Sequence, residues 1–296
     1  MKKRNIGNWW SLSTLLLAWI FCSGCATDFP RPQATEPSFT SAETAAELFE
    51  SCLAAHGGDL KQSVNDVNIA ISGEWGALIK KIQPLVTDFN YRIASEERYL
   101  LSESASAVRW RGPAGVKFIF RTPTTIDVFY NGAASTDADV LASSSMTADA
   151  FALFHLGPSV LKWSGAQPQR LSDVKELGRN YHRLYFELQP GFGSSERDEV
   201  VLYVDAATKR MHRVWITLEG FKTTQGATVD VTCLDYIQVD GYVFPAKLIE
   251  RVRAPIRAHA HAWEVVGIDL DRGLQIEEVN TPDWSPRAAL PAARDR

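Results

Sequence analysis

The sequence predicts an α+β fold: one large curled antiparallel sheet, a half-open β-barrel, with two or three helices covering its concave face. Three observations carry this reading. From Phe89 to Leu270 most segments alternate apolar and polar residues with the period of a strand. The links between them are of hairpin length, as in Asp205-Ala206-Ala207-Thr208-Lys209 and Asp240-Gly241, which makes neighbours antiparallel. No strand–helix–strand alternation occurs, which argues against a parallel nucleotide-binding sheet. A sheet this long must curl, and its concave face needs a cover.

Taken in order, the chain opens with Lys2, Lys3 and Arg4, then the apolar run Leu15–Phe21, then Cys22-Ser23-Gly24-Cys25. Basic, apolar, small and cysteine is the order of a secretory signal. The end of it resembles a bacterial lipobox, with Cys22 where that motif usually has Leu. The resemblance implies that residues 1–24 are removed and that Cys25 is lipidated. Ala26, which is not Asp, then implies sorting to the outer membrane, facing the periplasm. Without the signal, the 31 basic residues lose three and the 35 acidic residues lose none, a formal charge of −7. That balance argues against a nucleic-acid partner, which requires a basic footprint.

Residues 25–39 are rich in Pro, Thr and Ser and read as a flexible tether. Residues 40–280 form the folded domain, and 281–296, biased to Pro, Ala and Arg, a loose tail. A first helix is expected over 41–56. Thr40 and Glu43 have capping-box spacing, Leu48, Phe49, Cys52 and Leu53 lie on one stripe, and Gly57-Gly58 stops it. A short helical stretch is expected near 76–82, ended by Pro84, and a second main helix from Ala148 to Phe154, before Pro158. Strands are expected at 89–93, 116–120 and 126–130, the last meeting the turn dipeptide Asn131-Gly132. Further strands follow at 181–188, 199–205, 211–219, 227–239, 242–253 and 258–270.

Candidate functional residues are few. On the last strand, Ala258, Ala260 and Ala262 share one face with Val266, Ile268 and Leu270, and small residues there leave volume for a large side chain or a ligand. The opposite face carries His259, His261 and Trp263; two histidines at i, i+2 are a two-ligand start for a metal, without a third ligand, and surface histidines are the plainer reading. His56 is placed where a cation meets the negative end of the first helix. Arg109, Arg111, Lys117 and Arg121 lie on neighbouring strands and are candidates for an anionic headgroup, against a plain reading as surface cations. Cys52 and Cys233 are a disulfide candidate in an exported chain, or else two buried thiols. Gly191-Phe192-Gly193 lacks the lysine of a phosphate loop and reads as a turn. No metal or cofactor site is expected.

Several segments together resemble the LolA/LolB lipoprotein-carrier superfamily, with its RseB-type sensor relatives. They are the helix end Ala54-Ala55-His56-Gly57-Gly58, the strand pair Val116–Pro123 with Ile126–Gly132, and Leu202-Tyr203-Val204-Asp205. Met211–Ile216 and Tyr236–Pro245 follow. The resemblance covers about residues 41–276, with 147–178 as an elaboration. It implies a half-open barrel whose hollow takes acyl chains, and a non-enzymatic lipid or lipoprotein binder. Phe49, Leu53, Phe118, Phe120, Val128, Ala258, Ala260 and Ala262 are the expected apolar lining. The alternatives are a sensor or scaffold module binding another envelope protein, and a hydrolase without a recognisable site.

Overall fold

The computed structural model describes residues 28–34, 38–283 and 287–292. Its centre is one 13-stranded sheet in the order β6-β5-β4-β3-β2-β1-β13-β12-β11-β10-β9-β8-β7, with every pair antiparallel. The first arm is β1 (Asp66–Trp75), β2 (Ala94–Leu100), β3 (Ala105–Gly112), β4 (Gly115–Arg121), β5 (Ile126–Tyr130) and β6 (Ala133–Ala134). The second arm is β7 (Gln169–Glu176), β8 (Arg179–Leu188), β9 (Asp198–Asp205), β10 (Met211–Thr217), β11 (Thr228–Val239), β12 (Tyr242–Ala254) and β13 (Ala258–Leu270). Pairing of β13 with β1 joins the arms, and the sheet stays open between β6 and β7. Bulges at Ala70/Ile71 in that junction and at Glu250/Arg251 in the neighbouring β12–β13 pairing interrupt the ladder and increase local twist.

Six helices accompany the sheet among the described residues: α1 (Ala45–Ala55), α2 (Ala77–Ile82), α3 (Pro84–Thr87), α4 (Ala138–Leu156), α5 (Pro158–Ser164) and α6 (Ile276–Val279). The first begins four residues later than the sequence suggests. Its capping box is Thr44 with Glu47, the Glu47 N–H donating to Thr44 Oγ1 at 3.2 Å and the Thr44 N–H to Glu47 Oε2 at 2.9 Å. Thr40 is instead bound to Asp173, its N–H and hydroxyl both donating to Oδ2 at 2.6 Å. The expected stripe is correct: Leu48, Phe49, Cys52 and Leu53 are buried, with Phe49 edge-on to Phe186 at 5.1 Å.

Helix α4 starts ten residues before its expected beginning. Asp137 caps it, accepting from the N–H groups of Asp139 and Val140 at 2.8 and 3.3 Å. It lacks one apolar stripe because it is covered nearly all round: Ser143 to Ala148, Ala150, Phe151 and Leu153 to Leu156 are buried. Phe151 stacks on Trp263 at 5.2 Å and meets Trp110 edge-on at 5.9 Å, so the helix touches both arms. Residues 89–92, expected as strand, form a turn after Asp88, which ends α3 in the left-handed region at φ 40°.

The terminal segments are pinned rather than loose where they are described. Phe29 is buried on the outer face of the second arm, and the Asp173 N–H donates to the Ser38 carbonyl at 2.9 Å on edge strand β7. That contact covers backbone that would otherwise be free to pair with another chain. At the other end, Pro291 bridges Gly267 and the Ile268 N–H donates to Leu290 O at 2.8 Å. Phe151→Ala should lower stability by about 3–5 kcal/mol, since its ring fills the space between the arms. The check is a urea titration in which the midpoint falls and the slope stays constant.

Candidate functional site

The expected lining residues do not converge on one hollow. Phe49, Leu53 and Val128 belong to the main core under α1 and α4. Phe118 and Phe120 point to the other side of β4, into a separate outer cluster with Leu100, Ala105, Ala107 and Val279 of α6. Ala258 and Ala260 pack with Trp75, Ile79 and Phe89 in a small end cluster, and Ala262 is half-buried. Up to the bulge at Val266 the core side of β13 is the side read as polar; beyond it Ile268 and Leu270, read as apolar, do face the core. His261 is fully buried, stacked on Trp75 at 4.0 Å and on Trp263 at 4.7 Å, whereas His259 is exposed. The two histidines therefore share no ligand geometry.

The four cations divide two and two. Strand register puts Arg109 opposite Phe118 and Arg111 opposite Val116, on the outer face. Lys117 and Arg121 face inward. Lys117 is buried and donates to Asp88 Oδ2 at 2.9 Å, and Tyr130 donates to the same oxygen at 2.6 Å. Burial pulls the Lys117 ammonium down to about 8, against the pull of Asp88. Cys52 and Cys233 are both buried free thiols, so the disulfide is not formed; burial pushes the Cys233 thiol up to about 12 and Cys52 higher still. His56 is a neutral bridge and not a capping cation. Its Nδ1 lies 2.7 Å from Val243 O and its Nε2 accepts from the Met211 N–H at 3.0 Å, and burial lowers it to about 4.

Beneath α4 lies a polar layer that the sequence reading missed. Glu97 is fully buried and accepts from Ser95 at 2.8 Å, from Tyr99 at 2.6 Å and from His155 Nδ1 at 3.0 Å. His155 Nε2 accepts from Trp263 Nε1 at 3.0 Å. Burial raises Glu97, but His155 and the surrounding donors outweigh it and hold the carboxyl below its ordinary range. Arg92 sits with its guanidinium 4.5 Å from the Trp110 ring, 5.0 Å from Phe151 and 5.1 Å from Trp75. Two spaces among the described residues here hold about 10 and 20 Å³, each about the size of one water. Side chains of α4 fill the concave side beneath it.

A substantial apolar groove lies at the end of the sheet, where α4 bridges the arms. Its volume is about 410 Å³, within the range of about 300–1,000 Å³ that small-molecule sites occupy. Ala148, Ala152 and Leu156 of α4 form the floor at helical spacing. Tyr99 and Leu101 make one wall, Leu188 and Phe192 the other, and Val160 and Trp163 of α5 close the end. At the rim a polar clasp ties the arms together. Arg121 donates to both oxygens of Asp149 at 3.0 and 2.9 Å, and the Gly193 N–H donates to Asp149 Oδ2 at 2.7 Å. Arg121 is thus the one expected site residue that lines this groove. Helical spacing of Ala148 and Ala152 is the available signal for the floor, obscured because the expected helix begins at Ala148 itself.

Glu250, opposite His261 in the register, is buried with Oε2 unpartnered, and burial raises it to about 7, against Arg92. Its unfolded carboxyl keeps the ordinary value of 4.5. Between those values the folded state binds more protons, so stability falls as pH rises from about 4.5 to 7. Glu250→Gln should therefore raise the melting temperature at pH 8 and leave it nearly unchanged at pH 4, as read by circular dichroism.

Comparison with solved structures gives likenesses of low identity. A LolA superfamily protein from Nitrosomonas europaea is similar with a TM-score of 0.48 and 14% identity, over 80% of this chain and 98% of that one. A putative outer membrane lipoprotein-sorting protein domain from Vibrio parahaemolyticus gives 0.42 and 10%, over 80% and 96%. A DUF1329 family protein from Desulfovibrio piger gives 0.41 and 10%, over 79% and 96%. No protein-family profile matches the chain, and no curated protein does.

Proposed function

We propose that this chain is a lipid-anchored envelope protein that binds one acyl chain, or the acylated end of a lipid or lipoprotein, in the groove between α4, α5 and the two sheet arms. The observation that carries this reading is the groove itself. It is floored by small residues, walled by leucines and a phenylalanine, and ringed by Arg121, Asp149, Lys61 and Ser104. Apolar walls with a polar rim suit a ligand that has an oily tail and a polar end. Burial there would contribute near 25 cal/mol per Å² of apolar surface removed from water. The signal-like start and Cys25 supply the membrane half of the reading.

The filled interior favours a second reading, a sensor or scaffold that binds another envelope protein through this same end of the sheet. Native mass spectrometry of protein extracted from membranes separates the two. A bound lipid supports the first, and a stoichiometric polypeptide supports the second.

Ala148→Trp and Ala152→Trp place an indole on the groove floor. Each should abolish binding of a fluorescent fatty acid while the far-ultraviolet circular dichroism is kept. Retained binding in both would remove the groove from the assignment. Phe118→Glu changes the outer cluster, so it should destabilise the fold and leave the affinity of the remaining folded protein unchanged.

A further inference from the structure

We infer that the outer face of β7–β10 lies against the bilayer, held there by the chain's own N-terminal strap acting as a short leash. This rests on the reading of Cys25 as the lipidated residue and adds an orientation to it. Phe29 is buried against Leu171, Tyr181, Tyr185, Val201, Tyr203 and Trp215, its ring edge-on to Trp215 at 5.7 Å. Arg31 is fixed by Glu199, Nε lying 2.8 and 2.9 Å from its two carboxylate oxygens, while the Tyr185 hydroxyl donates to the same group at 2.7 Å. Pro30 and Pro32 flank that arginine and stiffen the segment. A second attachment follows at Ser38 and Thr40 on β7.

Docking therefore begins at Phe29, four residue steps from Cys25, a span of at most about 14 Å when fully extended. A free linker of the same composition through position 39 would reach roughly 50 Å. With so short a lead, acyl chains on Cys25 enter a membrane only if this part of the sheet comes to the headgroups. Charge neither draws this face to a membrane nor keeps it away: Arg31 is paired with Glu199, Arg197 with Glu187 and Glu199, and Arg213 with Glu176. The occupant of this face is thus a phospholipid bilayer, brought there by the short lead from Cys25.

The test uses acylated protein in phosphatidylethanolamine–phosphatidylglycerol vesicles that carry a headgroup quencher. One sample has a fluorophore at Leu177→Cys in the β7–β8 turn. The other has it at Ala54→Cys, exposed on α1 across the sheet. The buried Cys52 and Cys233 stay unlabelled. Quenching should be strong at 177 and weak at 54. Phe29→Ala with Arg31→Ala should remove the difference while the protein still sediments with vesicles. An eight-residue Gly-Ser insertion after Ala26 should do the same without touching the sheet. Equal quenching at both positions, or a difference that survives the insertion, overturns the leash. The mass of the N-terminal peptide judges the anchor separately: an unacylated Cys25 overturns the anchor and the leash with it.

Discussion

One topological constraint organises this molecule. The two edge strands, β6 and β7, are consecutive in the sequence yet lie at opposite ends of the sheet. The connection between them must cross the open side, and α4 makes that crossing. A helix of 19 residues spans about 28 Å, enough to bridge a curled sheet. A helix in that position meets protein on nearly every side, so its serines, threonine and histidine are buried along with its phenylalanines. The same crossing explains why the concave side is filled beneath α4 and why an open apolar groove lies at one end.

The buried polar layer follows from the crossing. The inner faces of β2, β4 and β13 bring Glu97, Lys117 and His261 beneath α4, where an unpaired polar group is costly. Specific partners offset that cost for two of them, His155 for Glu97 and Asp88 for Lys117, whereas His261 is stacked between two indole rings with neither ring nitrogen hydrogen-bonded. Such networks fix the angle of a helix more narrowly than apolar packing does, because each donor has few acceptable positions. The groove inherits this rigidity, since its floor is the outer side of the same helix.

The sheet was legible in the sequence because hairpins are local. Asn131-Gly132 and Asp240-Gly241 turn where their residue types require, with positive φ at both positions of each pair. Which face pointed inward was not legible. Small apolar residues on β13 and phenylalanines on β4 were natural choices for the interior, and the histidines, tryptophan and lysine opposite them natural choices for the surface. The structure reverses both because the deciding partners are distant. Trp263 faces inward to reach His155, 108 positions away, and Lys117 to reach Asp88. Phe118 faces outward because α6, near the other end of the chain, covers it. Likewise the strap composition suggested a free linker, and only the aromatic surface made by four later strands gives it somewhere to bind.

The seam between the arms has a kinetic consequence. Strand β1 pairs on one side with its immediate successor and on the other with the last strand, Val67 meeting Leu270. A chain synthesised amino end first exposes the open side of β1 until nearly everything else has followed. Contacts of such high sequence separation form slowly and leave unpaired backbone vulnerable to foreign strands. Holding factors that shield the early hairpins would matter more for this protein than its final stability suggests, and a stop codon before residue 258 would leave two-sheet debris with a permanently adhesive border.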